Sequence, residues 1–340
     1  MRAGKIALTA VVVAGVALVP AGASADKVRP GHGADSLAGK RILLSNDDSV
    51  QAAEADGADG RGLYILRKAL CAAKADVVVI GPWGQMSGGS RSVSAARQVS
   101  VAPPVAIPAG YAGDCATAPS KGLVVGACIG PGACTPESKS VTPADSVELA
   151  LGTILAERAG WTDGPDLVMT GTNSGANIDV AVNMSGTVGA ATAATERGVP
   201  AIAVSADGKG GALTKPSDPT YEAAAAYATK VAARLLGRRG ASDRLAREGL
   251  LLNINVPHAE AGQTLSPRWT EVGQKASGRI TYVPDGKGGY RISYAPVNPA
   301  PEIDPRSDTA ALHDGHISIG AVSIDRNGSA KWLRSLNLTG

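Results

Sequence analysis

Short runs of β-branched and aliphatic residues alternate with longer segments of helical spacing along most of the chain. The apolar runs lie at residues 42–44, 77–80, 167–170, 201–205 and 250–256. The helical segments lie at 63–73, 143–159, 187–197 and 221–236, and Thr142-Pro143 is a typical helix start for the second of them. Strands that alternate with helices indicate an α/β fold with a parallel sheet and crossover helices.

Two segments depart from this alternation. Residues 103–140 are rich in Pro, Gly and Cys and predict an irregular insertion. Within 266–297, alternating runs at 279–283 and 290–294 flank a glycine-rich turn at 285–289, which predicts a β-hairpin arm that protrudes from the body.

The first 25 residues have the pattern of a secretory signal peptide. Arg2 and Lys5 precede a mostly apolar run at 6–18, and Ala23-Ser24-Ala25 is a small-residue cleavage site. A retained N-terminal anchor is the alternative, although the apolar run is short for a membrane span. We therefore expect residues 26–340 to form a single α/β domain that is secreted or extracytoplasmic.

If the protein is exported, its four cysteines reach an oxidising compartment where disulfides can form. Cys71 falls in a predicted helix, whereas Cys115, Cys128 and Cys134 lie in the insertion. An oxidising compartment favours one disulfide among these three, and the spacing leaves the pair undetermined. The same spacing, without a nearby histidine, argues against a zinc site.

Net charge gives no support for some classes of binding partner, and composition limits the residues available for the core. The formal net charge is +3 and no basic cluster is present, so the chain shows no sign of binding nucleic acid or a membrane surface. Phe is absent, so the core must be built from Ala, Val, Leu and Ile.

Four polar clusters follow predicted strands or open predicted helices. Segments in these places meet at one edge of a parallel sheet. Carboxylate, amide and hydroxyl oxygens suit Mg²⁺ or Mn²⁺, and small Gly/Ser turns expose backbone amides that can hold a phosphate. The clusters are Asn46-Asp47-Asp48, Ser87-Gly88-Gly89-Ser90, Thr172-Asn173-Ser174-Gly175-Ala176-Asn177 and Ser185-Gly186-Thr187.

In this order the clusters resemble the SurE family of metal-dependent 5'/3'-nucleotidases and acid phosphatases. Residues 42–48 are similar to the family's first strand and acidic pair, and 170–177 to its asparagine-containing turn. Residues 185–191 resemble its Ser-Gly-Thr-Val segment, and 142–145 and 252–257 also match. The chain departs from the family at Ser49, where a glycine is common, and at 83–86, which is usually more polar.

The resemblance implies a three-layer, Rossmann-like, mostly parallel sheet with helices on both faces. It implies that the hairpin arm joins subunits into a homo-oligomer, a dimer or a tetramer. The implied metal ligands are Asp47, Asp48, Ser87 and Asn173, with the two aspartates also catalytic. The implied ligands of the phosphate ester are Asn46, Gly88, Asn177, Ser185, Gly186 and Thr187.

We therefore expect a hydrolase that cleaves nucleoside monophosphates or related small phosphate monoesters by attack of a water bound to the divalent cation. One alternative is an aspartyl-phosphate formed on Asp47. A Ser-His-Asp hydrolase is a weaker alternative, because the chain has four histidines but no Gly-x-Ser-x-Gly turn. A third is an exported phosphate- or nucleotide-binding protein without turnover.

Overall fold

A nine-stranded sheet forms the centre of the molecule. The computed structural model describes residues 36–52, 60–95, 98–211 and 214–328, so the predicted signal peptide lies outside the described residues and stays a prediction. The strands are β1 (Arg41–Ser45), β2 (Asp76–Pro82), β3 (Val99–Ala102), β4 (Val124–Ile129), β5 (Leu167–Ser174), β6 (Ala201–Ala206), β7 (Leu250–Val256), β8 (Pro267–Thr270), β9 (Gly278–Pro284), β10 (Tyr290–Pro296) and β11 (Ile317–Ser323).

The order across the large sheet is β3-β4-β2-β1-β5-β6-β7-β11-β8, while β9 and β10 form a separate pair. The six strands from β4 to β7 in this order are mutually parallel. Strand β3 is antiparallel to β4, and β11 is antiparallel to β7. At the centre, Leu43 of β1 is in register with Val78 on one side and Val168 on the other. These strands are buried on both faces, which explains their uninterrupted apolar runs.

Helices cover both faces of this sheet. They are α1 (Arg61–Ala72), α2 (Pro143–Leu149), α3 (Leu155–Ala159), α4 (Gly186–Glu196), α5 (Asp218–Gly237), α6 (Ala241–Arg247) and α7 (Asp308–His313). One apolar core contains Tyr64 of α1 and Tyr221 of α5, and the other contains Val147 of α2 and Ala190 of α4. The predicted α/β, Rossmann-like fold is therefore confirmed. Among the described helices, none is both long and apolar enough to cross a bilayer.

The predicted helix at 143–159 is present but interrupted. Helices α2 and α3 are joined by a π-helical turn, Ala150–Ile154. The start is as predicted: Thr142 caps the helix, since its hydroxyl accepts a hydrogen bond from the amide of Asp145, whose side chain in turn accepts one from the Thr142 amide.

Two sequence predictions need correction. Segment 103–140 is not irregular throughout, because it contains β4, a buried strand beside β2. Segment 266–297 is not all hairpin, because β8 belongs to the large sheet, where it pairs with β11. The hairpin itself is β9–β10, and Tyr282 lies opposite Ile292 in it.

The insertion is fastened at three places. A disulfide joins Cys128 to Cys134, as expected for the loop cysteines. A second disulfide joins Cys71 of α1 to Cys115, so the expectation of only one bridge was incomplete. Between them, the buried guanidinium of Arg67 donates hydrogen bonds to the backbone carbonyls of residues 111, 114 and 122 at 2.7–2.9 Å. Buried carbonyls need such partners, so Arg67 satisfies backbone acceptors in the stretch before β4, where they belong to no described helix or strand.

Candidate active site

The polar clusters converge at the carboxyl ends of the parallel strands. Asn46, Asp47 and Asp48 directly follow β1, and the 173–177 turn begins in the last residues of β5. Helix α4 begins at Gly186 after the short 3-10 helix Asp179–Asn183. Because β1 pairs with β5, the acidic pair and the asparagine-rich turn lie side by side.

Asp47 is held by the first turn of α4. Its side chain is buried, and Oδ1 accepts a 2.6 Å hydrogen bond from the hydroxyl of Thr187. Oδ2 accepts a 3.0 Å bond from the backbone amide of the same threonine. Burial raises the pKa of Asp47, and the hydrogen bonds from Thr187 partly oppose that shift. Gly186 permits this approach, since a Cβ there would lie 2.8 Å from Oδ2 of Asp47.

Asp48 contacts the end of β5 instead. Its Oδ2 accepts a 2.9 Å hydrogen bond from the amide of Ser174, the residue after the predicted metal ligand Asn173. Asp48 is also buried, with 6% of its surface exposed. The two neighbouring carboxylates therefore connect two separate chain segments, as the arrangement of clusters predicted.

The asparagine turn is held by a hydrogen bond within the turn and by others to strands β6 and β7. Asn173 Nδ2 donates to the carbonyl of Gly175 at 2.7 Å, and Asn177 Nδ2 donates to the hydroxyl of Ser205 at 2.9 Å. Asn255 of β7 accepts from the amide of Asn177 at 2.7 Å. The matched segment 252–257 thus contributes by holding the turn.

Ser87 and Gly88 lie on an exposed loop beside the acidic pair. The amide of Met86 donates to the carbonyl of Asp47 at 2.8 Å, which places the loop next to the carboxylates. The first turn of α4 packs against the same loop so closely that a Cβ at Gly189 would lie 2.0 Å from the carbonyl oxygen of Ser90. Only glycine can occupy position 189 without moving the loop.

The remaining predicted phosphate ligands already have partners within the protein. Ser185 caps α4, because its hydroxyl accepts from the amide of Val188 at 3.0 Å. Both donors of Thr187 point to Asp47. Asn46 Nδ2 donates to the carbonyl of Ser49 at 2.8 Å. Their roles toward a phosphate ester stay predictions, whereas their roles in shaping the site are visible.

Two aspartates of this region carried no recognisable pattern in the sequence. Asp179 is buried with a positive φ of 49°, and its Oδ2 accepts from the amide and hydroxyl of Ser277 at 2.9 and 2.5 Å. It thereby ties the root of the hairpin to the segment after the asparagine turn. Asp207 follows β6, where burial raises its pKa and the amides of Gly208 and Ala176 lower it.

The donor set suits a hard cation. In the described part of the chain, no three side chains of the His, Cys, Asp and Glu types cluster as metal ligands. A cation at this edge would therefore combine the two carboxylates with neutral oxygens, such as those of Ser87 and Asn173. Such oxygen-rich sets favour Mg²⁺ or Mn²⁺ over softer metals.

Comparison with known proteins agrees with this architecture. Residues 42–279 match the family model described as "Survival protein SurE". A protein named "5'-nucleotidase SurE" from Desulforudis audaxviator is 31% identical over 290 residues, which cover 84% of this chain and 92% of the relative. A "5'/3'-nucleotidase SurE" from Cronobacter sakazakii is 28% identical over 307 residues, covering 88% and 99%.

The fold also matches a solved structure. The crystal structure of the SurE protein from Aquifex aeolicus superimposes with a TM-score of 0.58 at 24% identity, covering 86% of this chain and 99% of that one. The shared fold and the family match over most of the chain lead to one conclusion: this protein belongs to the SurE family.

Proposed function

We propose that this protein is a metal-dependent phosphomonoesterase that hydrolyses nucleoside monophosphates or related phosphate monoesters. The observation that carries the proposal is the buried pair Asp47 and Asp48, fixed between the end of β5 and the start of α4. The names of the relatives, 5'-nucleotidase and 5'/3'-nucleotidase, support the nucleotide as substrate. An acid phosphatase acting on other monoesters would use the same site.

The residues present fit a divalent cation. Asp47 is buried and forms no ion pair with a described lysine or arginine, so within the described residues its charge is balanced by hydrogen bonds such as those from Thr187 and by no cation. A buried carboxylate without a cationic partner is costly, and a bound cation removes that cost. Asp47, Asp48, Ser87 and Asn173 are the residues that would hold Mg²⁺ or Mn²⁺.

When bound, such a cation supplies Lewis acidity toward a phosphate oxygen and lowers the pKa of a coordinated water. The protein supplies orientation. Thr187 holds the carboxylate of Asp47 with two hydrogen bonds, and the amide of Ser174 holds that of Asp48. Amides near Gly88 and Gly186 would donate to phosphoryl oxygens, where negative charge develops as the ester bond breaks.

Hydrolysis can be tested directly. Purified protein without residues 1–25 should release phosphate from 5'-AMP and p-nitrophenyl phosphate with Mn²⁺ or Mg²⁺, and EDTA should abolish the release. Tight nucleotide binding without release would instead support an exported binding protein. A phosphorylated protein recovered after acid quenching would support attack by Asp47 itself.

We also infer that the protein is exported and self-associates. The two disulfides support an oxidising compartment, in line with the signal-peptide pattern. Self-association is supported by one face of the hairpin, where Tyr282 and Ile292 lie opposite each other with 66% and 73% of their surface exposed. Neighbouring Ile280 and Tyr290 are exposed as well, and an apolar face of this kind suits a second copy of the chain.

A further inference from the structure

Ser49, the residue after the acidic pair, adopts a backbone conformation that favours glycine. Its φ is +100°, a region that residues with a Cβ rarely occupy. The residue is completely buried, so its hydroxyl and backbone polar groups need partners within the protein. Directly after this turn, the amide of Val50 donates to the carbonyl of Pro82 at the end of β2 at 3.2 Å.

The hydroxyl of Ser49 makes the contacts that hold this turn. It donates to the carbonyl of Trp83 at 3.0 Å and accepts from the amide of Gln51 at 2.9 Å. The carbonyl of Ser49 accepts from Asn46 Nδ2 at 2.8 Å. Asp47 and Asp48 therefore lie inside a loop that is closed by hydrogen bonds at Asn46 and Ser49.

Trp83, whose carbonyl accepts the hydrogen bond from Ser49, is itself held in place by its side chain. Its indole Nε1–H donates to the carbonyl of Thr135 at 2.7 Å, directly after the loop closed by the Cys128–Cys134 disulfide. Its ring lies over β4, where a Cβ at Gly126 would be 2.8 Å from the ring and 2.6 Å from Val50. The end of β2, the insertion and the acidic loop thus pack as one unit.

We propose that Ser49 is a positioning residue whose hydroxyl bonds to the carbonyl of Trp83 and the amide of Gln51 hold a residue with a Cβ in a positive-φ turn that glycine would adopt without them. The turn held in this way presents the carboxylates of Asp47 and Asp48 to the metal. This inference rests on the proposed function. In this proposal, Ser49 acts through the two aspartates. Its contribution is to keep the glycine-like turn in the one conformation that leaves both carboxylates at the sheet edge.

Three variants separate positioning from general stability. Ser49→Ala keeps the Cβ but removes the hydroxyl. The turn therefore loses the hydrogen bonds to Trp83 and Gln51 that hold the positive-φ conformation. Ser49→Gly removes the hydroxyl but adopts φ +100° without strain. Ser120→Ala is the matched control, because Ser120 is a buried serine whose hydroxyl bonds to Asp76 at the opposite end of β2.

The measurement is Mn²⁺ affinity by calorimetry on the folded protein without substrate, well below each melting temperature. We expect Ser49→Ala to weaken Mn²⁺ binding about tenfold and Ser49→Gly by no more than about threefold, since positive-φ strain is relieved only by glycine. Ser120→Ala should lower the melting temperature while the Mn²⁺ affinity stays as in the wild type. Saturating Mn²⁺ should restore kcat in Ser49→Ala.

Two results would overturn the inference. One is a Ser49→Ala protein that binds Mn²⁺ as tightly as the wild type; the other is a Ser49→Gly protein as weak as Ser49→Ala. A wild type that binds no Mn²⁺ would overturn the proposed function itself, and this inference with it.

Discussion

Thr187 and Asp47 lie 140 residues apart in the sequence and are joined by two hydrogen bonds, one from the hydroxyl and one from the backbone amide of the threonine. Substitution can remove only the hydroxyl bond. Hydrogen bonds to charged groups contribute about 1.5–3 kcal/mol, so Thr187→Ala should weaken Mn²⁺ binding by roughly 10- to 100-fold. Thr187→Ser keeps the hydroxyl and should remain near the wild type. Equal affinities in the two variants would show that the hydroxyl bond does not orient Asp47.

Removal of the Asp47 charge tests the centre of the site. Asp47→Asn should reduce metal-dependent phosphate release by roughly 100-fold or more, because the cation loses a principal anionic ligand. Circular dichroism and the melting temperature should show that the fold is retained. Asp166→Asn is the control, since Asp166 lies at the opposite edge of the sheet, where its side chain accepts from the amide of Arg41 at 2.8 Å. A fully active, metal-independent Asp47→Asn protein would refute the site.

The exposed face of the hairpin predicts a second measurable property. Tyr282→Asp combined with Ile292→Asp places charge on the apolar face and should convert the proposed homo-oligomer to monomers in light scattering. Thr281→Asp is the control, because Thr281 and its partner Ser293 point to the other face of the same hairpin. A wild-type protein that is monomeric at all concentrations would contradict the proposed role of the hairpin.

The two disulfides should differ in their contribution to stability. Loop-closure entropy predicts about 4 kcal/mol for the bridge that spans 44 residues and about 2 kcal/mol for the one that spans 6. Denaturant unfolding of the two Cys→Ala double variants measures both values. The Cys71–Cys115 variant should be the less stable. The reverse order would mean that the insertion stays anchored through Arg67 without its bridge.

The ion pair of Arg61 and Asp218 predicts a pH dependence of stability. The hydrogen-bonded arginine lowers the pKa of Asp218 below its ordinary value of 3.8. The pair therefore stabilises the protein above pH 3.8, and the effect is lost as the pH falls through the lowered pKa. Both side chains are more than 40% exposed, so Asp218→Asn should cost less than about 1 kcal/mol at pH 7 and nothing in strong acid.

Urea unfolding at pH 7 and at a series of acid pH values below 3.8 measures this difference, because the cost of Asp218→Asn should shrink as the pH falls. Asp243→Asn controls for the helix dipole, because Asp243 lies in the first turn of α6 as Asp218 lies in that of α5. A destabilisation of Asp218→Asn that is the same at all of these pH values would exclude the ion pair as its cause.

The sequence predicted strands such as β1 and β2, which are apolar along most of their length because both of their faces are buried. It did not predict β4, because the run around Gly126 contains small residues of low strand propensity. The structure explains them, since Val50 and Trp83 occupy the space above that glycine. Local propensity cannot reveal a strand whose composition is set by what packs on it.

In the candidate site, too, the sequence predicted some features and missed others. The convergence of Asp47, Asp48 and the asparagine turn followed from the geometry of parallel strands. The particular partners did not: Thr187 was expected at the phosphate, and its two donors point to Asp47. Asp179 had no motif at all, because its partner Ser277 lies 98 residues away and only the folded chain brings them together.

That last contact has a consequence for the assembled protein. One carboxylate anchors the root of the hairpin and belongs to the chain two residues beyond Asn177. In the homo-oligomer that we propose, a subunit bound to the hairpin would therefore contact an element that is hydrogen-bonded to the segment following the asparagine turn. Loss of the Asp179 carboxylate would then loosen the hairpin root and the neighbourhood of the asparagine turn together.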